Sequence, residues 1–191
     1  CSEYMFVNDS ACNLASLNLM KFRREDGSFE IERFRAAVRI FTIAQEILVD
    51  AASYPSERIC RNSHDFRPLG LGFANLGALV MSLGLPYDSD DGRATAGAIA
   101  SIMTGTAYAT SAELASRLGA FPQFYKNRNS MMNVIEMHKK TAQKISAEYA
   151  GKPLVGAARA AWDEAEEAGR QFGYRNAQVT VLAPTGTIGF M

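Results

Sequence analysis

Histidine is nearly absent from this chain: His64 and His138 are the only two, and they stand far apart, which leaves little for a histidine metal site. Net charge is absent too, with 20 Lys+Arg against 20 Asp+Glu and a pI of about 6.9. Bulk electrostatics therefore gives no reason to expect a nucleic acid or a charged membrane surface as partner. Cysteine is sparse and odd in number, three in all, which argues against a secreted disulfide framework and for a reducing cytoplasm. No apolar run approaches the roughly 20 residues needed to span a bilayer. Glu3, Asn8 and Asp9 interrupt any apolar stretch of the signal-peptide kind at the start. An initiator Met is missing as well, and the chain begins at Cys1. What remains is 191 residues, 48% hydrophobic, enough for one domain or a large piece of one with a sizeable core.

Hydrophobic spacing outlines the organisation. Leu14, Leu17 and Leu19 leave strand and helix equally open, and Arg23 to Ser28 reads as a turn around Asp26-Gly27. Ile31, Phe34, Val38, Phe41, Ala44, Ile47, Leu48 and Ala51 recur at threes and fours, predicting one buried face of a helix over about 30–52. Residues 55–66 read as a polar connection. A second helix is expected from Arg67-Pro68 to Leu83, with Gly70, Gly72 and Gly77 explained by close approach of another backbone. Asp88-Ser89-Asp90-Asp91 supplies cap candidates and acidic first-turn charge for a long third helix over about 90–118, whose Ala, Ser, Thr and Gly content suits packing on several sides. Further helices are expected over about 130–149 and 155–171, the last with Asp163, Glu164, Glu166 and Glu167 on a solvated face. A short strand over 178–183 closes the series. No repeat, linker or low-complexity tract is visible, so one structural unit is the economical reading.

The two ends carry the unusual chemistry. Cys1 and Glu3 lie two apart, so an extended backbone points both to one side. A carboxylate raises a neighbouring thiol's pKa, which suits a thiolate nucleophile poorly. It suits a sulfur that carries a hydrogen atom beside a carboxylate that takes a proton. Spacing alone favours a buried cysteine and an uninvolved surface glutamate. At the other end, LAPTGTIGFM places a Thr-Gly-Thr turn after a strand, a way to present backbone N–H groups to phosphate, though it lacks the lysine of a Walker loop. An ordinary strand-ending turn explains the same residues.

Taken together, CSEYMF with ACNLASLNL, YPSERI, RPLGLGFANLGALVM and LAPTGTIGFM resemble, in wording, order and spacing, the catalytic subunit of ribonucleotide reductase. The PTGTI wording, and Cys12 only eleven positions after Cys1, resemble the class II, adenosylcobalamin-dependent form. The resemblance implies an α/β fold: a mainly helical fragment of a ten-stranded α/β barrel with a finger loop, residues 1–191 forming part of that catalytic barrel domain, incomplete at both ends. It implies reduction of ribonucleotides to deoxyribonucleotides by a thiyl-radical mechanism, with adenosylcobalamin as cofactor. Cys1 would become the thiyl radical that takes the ribose 3′ hydrogen. Glu3 would take the 3′ hydroxyl proton, and Cys12 would be half of the reducing pair oxidised to a disulfide in each turnover. Ser2, Pro184, Thr185, Gly186, Thr187 and Ile188 would contact substrate, the last five cradling its phosphates. Implied partners are the ribonucleotide, a thioredoxin or glutaredoxin-like reductant and the remainder of the catalytic chain.

The family's Asn two residues before the radical cysteine, and the partner of Cys12, lie outside the chain. Cys60 is not expected to be that partner and reads as incidental. His64 and His138 read as polar surface or cap residues, Met131, Met132 and Met137 as core filler, and Arg67 as a helix-start packing residue. The chain reads as a slice inactive by itself, with self-splicing insertions as one expectation for what flanks it, since such elements require Cys, Ser or Thr as the first residue after them. Two other readings stand beside this one. A class I large subunit would need a radical-generating small subunit and a tyrosine relay, and no Tyr-Tyr pair of that kind is visible in the sequence. A non-catalytic helical scaffold would need only the Ala-rich helices.

Overall fold

A computed structural model describes residues 5–190. The fold is mainly helical around a small parallel sheet. Strand β1 (Asn13–Asn18) leads into a 3-10 turn at Leu19–Phe22, which Asn18 caps by accepting the Met20 N–H. Helices α1 (Ile31–Ala51) and α2 (Glu57–Phe66) then cross over to strand β2 (Leu69–Ala74). β1 and β2 pair in parallel from Asn13↔Leu69 to Asn18↔Ala74, an arrangement that requires such a crossover. A second, longer crossover follows: α3 (Leu76–Ser82), α4 (Asp90–Leu118), α5 (Phe124–Ala142), α6 (Ala147–Ala150) and α7 (Lys152–Phe172). The chain then returns along the free edge of β2. There the Leu69 and Leu71 N–H groups donate to Gln178 and Val179 carbonyls, and Val181 N–H donates to Leu71 O. The strand expected over 178–183 is thus an extended edge whose single parallel bridge is Leu71↔Thr180.

Two expectations are corrected. Residues 57–66 are helix α2, N-capped by Ser56, whose Oγ accepts the Ile59 N–H. Only Ser63 of this helix is fully buried, so no apolar stripe announces it. Residues 69–74 are strand rather than the start of a helix, and the helix that follows reaches only Leu76–Ser82. The reason given for the glycines holds at Gly70 and Gly72 in the strand but not at Gly77 in α3, where a Cβ would meet only a Tyr87 ring carbon at 3.9 Å. A Cβ on Gly72 would stand 2.7 Å from the Val181 carbonyl oxygen, a separation real side chains do not show.

Helix α1 also turns differently from its periodicity. Phe34 and Val38 are fully buried as expected, but further along Phe41, Ile47 and Leu48 face outward while Thr42, Gln45, Glu46 and Val49 face the core. The surface they meet is polar, as described below, so pairing overrides hydrophobic spacing. Helix α5 begins at Phe124, six residues ahead of the expected start, because Phe124 is buried against Phe121 and Tyr174. Met131 joins the core, whereas Met137 is exposed.

The centre of the molecule is the α4–α7 crossing. Ser89 caps α4 by accepting the Gly92 N–H at 3.0 Å, and Asp90 and Asp91 complement the helix dipole. A Cβ on Gly105 would lie 2.8 Å from the Ala161 carbonyl carbon and 3.0 Å from the Trp162 nitrogen, both backbone atoms that cannot swing aside. Gly105→Ala is therefore expected to cost about 1–3 kcal/mol of stability by forcing α4 and α7 apart. Gly156→Ala, on α7 with nothing near the new methyl, is expected to gain about 0.5–1 kcal/mol from helix propensity. Chemical denaturation of the two variants checks the opposite signs. No helix among the described residues is long and apolar enough to cross a membrane.

Candidate active site

Cys12 stands one residue before β1, half-buried at the sheet. Its neighbours are tied to two different helices. Ala11 N–H donates to Ser63 Oγ of α2 at 3.2 Å. Gln45 Nε2 of α1 donates to the Asn13 carbonyl at 2.8 Å, and Asn13 Nδ2 donates back to the Gln45 carbonyl at 3.1 Å. Across the sheet lies Gly70, where a Cβ would stand 3.1 Å from Cys12 Sγ. Sequence reasoning found Cys12 through its motif but gave no sign of Gln45 or Ser63. Cys1, Ser2 and Glu3 lie outside the described residues.

Residues of both end motifs meet at one cavity. Met5 and Phe6, which end the CSEYMF motif, line a cavity of about 740 Å³ together with Val181 and with Leu182, which opens the LAPTGTIGFM motif. A second cavity of about 600 Å³ adjoins it, sharing Phe73, Gly97, Ala100 and Leu182. Thr185 and Gly189 line the second cavity opposite Asn75 and Gly77. Each cavity lies in the size range of a small-molecule site. Thr185 adopts a left-handed conformation (φ 50°) and its carbonyl accepts the Gly189 N–H at 3.0 Å, so the Thr-Gly-Thr segment is a tight turn running into a 3-10 helix at Thr187–Phe190. Thr185 is half-buried at the cavity, whereas Pro184, Gly186, Thr187 and Ile188 are exposed.

Aromatic side chains form the far wall of the larger cavity. His138 stacks on Trp162 with ring centroids 5.4 Å apart and planes 7° from parallel. Part of His138 opens to the cavity, while the packing around its ring disfavours the charged form and lowers its pKa. Trp162 Nε1 donates to Ser101 Oγ, and Thr104 and Thr180 share a hydroxyl hydrogen bond across the same wall. Tyr108 and Tyr174, remote in sequence, stand 5.4 Å apart edge to face, and burial raises the pKa of both phenols. Cys60 lies on α2 with its thiol 3.6 Å from His64 Nδ1.

Behind the sheet lies a buried polar network that the sequence did not announce. Glu46 Oε1 accepts hydrogen bonds from Arg67 Nε and Arg175 Nε, each at 2.7 Å. Its Oε2 accepts one from Asn176 Nδ2 at 2.5 Å. Arg67 also grips Asp50 with both terminal nitrogens, at 2.8 and 2.7 Å. Those hydrogen bonds hold the Asp50 carboxyl below its usual pKa, so its contribution to stability is present at neutral pH and fades as acid protonates it. Asn176 completes the set through the Arg67 carbonyl and Ser111 Oγ. Arg67 and Asn176 each stand just ahead of a sheet segment, so the network aligns β2 with the 178–181 edge. Arg67 is thus more than the helix-start packing residue it resembled: it ends α2 in a left-handed conformation (φ 49°) and anchors the sheet.

Comparison with known proteins places this arrangement. The family model for the ribonucleotide reductase barrel domain matches residues 1–191. A "Vitamin B12-dependent ribonucleotide reductase" of Rhodopirellula baltica is 57% identical over the whole chain, which spans 18% of that relative. One of the same name from Agrobacterium fabrum is 50% identical over the whole chain, which spans 16% of it. A "Ribonucleoside-diphosphate reductase large chain" of Encephalitozoon cuniculi is 32% identical across 92% of the chain and 21% of its own length.

Proposed function

Because the chain belongs to the ribonucleotide reductase barrel-domain family, we propose that it forms part of a class II catalytic subunit that reduces ribonucleotides to deoxyribonucleotides by thiyl-radical chemistry. The observation that carries the proposal is the convergence of residues of both end motifs on two adjoining cavities, next to a sheet that holds Cys12. A nucleotide needs such convergence, with its phosphates at one motif and its ribose at the other. The stronger identity to the B12-dependent relatives supports class II over class I. We place the complete ten-stranded barrel, the remainder of the catalytic chain and a cytoplasmic setting in the same proposal.

In this reading Cys1, as a thiyl, takes the 3′ hydrogen and later returns one, so it is unchanged over the cycle. Glu3 takes the 3′ hydroxyl proton as the 2′ oxygen leaves as water. Two electrons and two protons come from Cys12 and its partner thiol, which become a disulfide. A thioredoxin or glutaredoxin-like dithiol then restores them by exchange. Thr185, which lines the smaller cavity, and its neighbours Pro184, Gly186, Thr187 and Ile188 hold the phosphates, with Ser2 at the ribose end.

Adenosylcobalamin supplies the radical when bound. None of the described residues is assigned to hold it, and every step above belongs to the chain's own side chains. The test is nucleotide reduction by the full-length enzyme with and without adenosylcobalamin. Turnover is expected only with it. Activity that persists without it and instead tracks a metal-loaded small subunit would establish the class I reading.

A further inference from the structure

We propose that Gln45, Ser63 and Gly70 are positioning residues for the Cys12 thiol, an inference that rests on reading Cys12 as half of the reducing pair. The backbone is clamped on both sides of the cysteine by side chains that are themselves buried, Gln45 at 2% and Ser63 at 0% exposure. The clamps come from separate helices, so Cys12 cannot shift with either one alone. Ser63 Oγ holds the preceding amide, and Gln45 Nε2 holds the following carbonyl. Gly70 supplies the third constraint, which is space. A Cβ there would stand 3.1 Å from Cys12 Sγ, 3.0 Å from the Asn13 carbonyl and 2.6 Å from Leu14 Cδ2. A methyl at this point would displace the thiol from the face of β2.

The Gln45 clamp is only half satisfied. Gln45 Oε1 and Asn13 Oδ1 are buried and have no hydrogen-bond partner among the described residues. A buried acceptor left without a donor is costly, so the Nε2 bond to the Asn13 carbonyl is kept alongside that cost. What glutamine provides in exchange is a fixed position for the Asn13 carbonyl, and with it the start of β1. Disulfide chemistry needs that precision, because the two Cα atoms must approach within a narrow window of roughly 4.4–6.8 Å. In each turnover two thiols lose two hydrogens and join as a disulfide, while the ribose 2′ oxygen leaves as water. A thiol held in register meets its partner without a conformational search, and misplacement by about 1 Å costs rate steeply.

The test uses the full-length enzyme carrying Gln45→Met, Ser63→Ala or Gly70→Ala. Four quantities are measured: the unfolding midpoint, KM for the ribonucleotide, kcat with dithiothreitol, and the rate at which Cys12 appears as a disulfide in a single turnover without reductant. Gln45→Met and Ser63→Ala are expected to unfold within a few degrees of the parent and to keep KM within about twofold. Both are expected to form the Cys12 disulfide about tenfold more slowly, with kcat falling in step. Gly70→Ala is expected to show the same kinetic loss. Parental rates of disulfide formation in Gln45→Met and Ser63→Ala would overturn the proposal, as would a fall in midpoint that accounts for all of the lost activity. Cys12→Ser separates the two layers: full dithiol-driven turnover in that variant refutes the role of Cys12 itself, whatever the clamp variants do.

Discussion

Cys1→Ser in the full-length enzyme is expected to bring ribonucleotide reduction to background while leaving nucleotide binding intact. The expectation rests on bond strength. A thiol S–H bond is weak enough to give up its hydrogen and, as a thiyl, to regain one from the ribose 3′ carbon. A serine O–H bond is much stronger, so serine neither gives up its hydrogen to become the radical nor returns one to the 3′ carbon under the same conditions. The loss should therefore fall on kcat, with substrate affinity, measured by equilibrium binding, near the parental value. Glu3→Gln gives a graded companion, since removing a general base costs about 10²–10⁴-fold rather than everything. Normal turnover by the serine variant would sink the thiyl reading of Cys1.

The second large effect is structural. Glu46→Ala is expected to destabilise the protein by about 3–5 kcal/mol, because it removes the shared acceptor of a buried ion network. Three hydrogen bonds are lost at once, from Arg67 Nε, Arg175 Nε and Asn176 Nδ2, the last keeping only the Arg67 carbonyl. Asp50 still faces Arg67, but no carboxylate remains opposite Arg175 Nε. The damage extends to the sheet, since Arg67 and Asn176 align the β2 strand with the 178–181 edge. Denaturant unfolding of the full-length protein checks the size of the loss. A change below about 1 kcal/mol would mean that water replaces Glu46 cheaply and that the network does not hold the sheet.

These residues also mark where sequence reading reached its limit. Gly70 and Gly72 were expected to sit where another backbone comes close, and they do, but in a strand rather than a helix. A short buried strand of Leu, Gly and Ala carries no period of its own, so its neighbours decide what it becomes. In α1 the apolar spacing was correct through Val38 and then misled. Glu46 and Gln45 face inward because Arg67, Arg175, Asn176 and Asn13 are there to meet them, and those partners lie up to 130 positions away.

The sequence by itself determined the elements whose causes are local. Helix α4 runs over Asp90–Leu118 as expected, because Ser89 and two aspartates start it and Gly119 ends it. The turn at Asp26-Gly27 and the wording of the two end motifs were legible for the same reason, as was the exposure of Asp163, Glu164 and Glu167 on α7, whereas Glu166 is covered by Lys139 and Arg170. Only the tertiary structure decided which side of α1 is buried, that residues 57–66 are a helix, that residues of both end motifs border adjoining cavities, and that Cys12 is clamped from two helices. Each of these depends on a hydrogen bond or a close approach between residues remote in sequence. Such contacts exist only once the crossovers have brought β1, β2 and the 178–181 edge side by side.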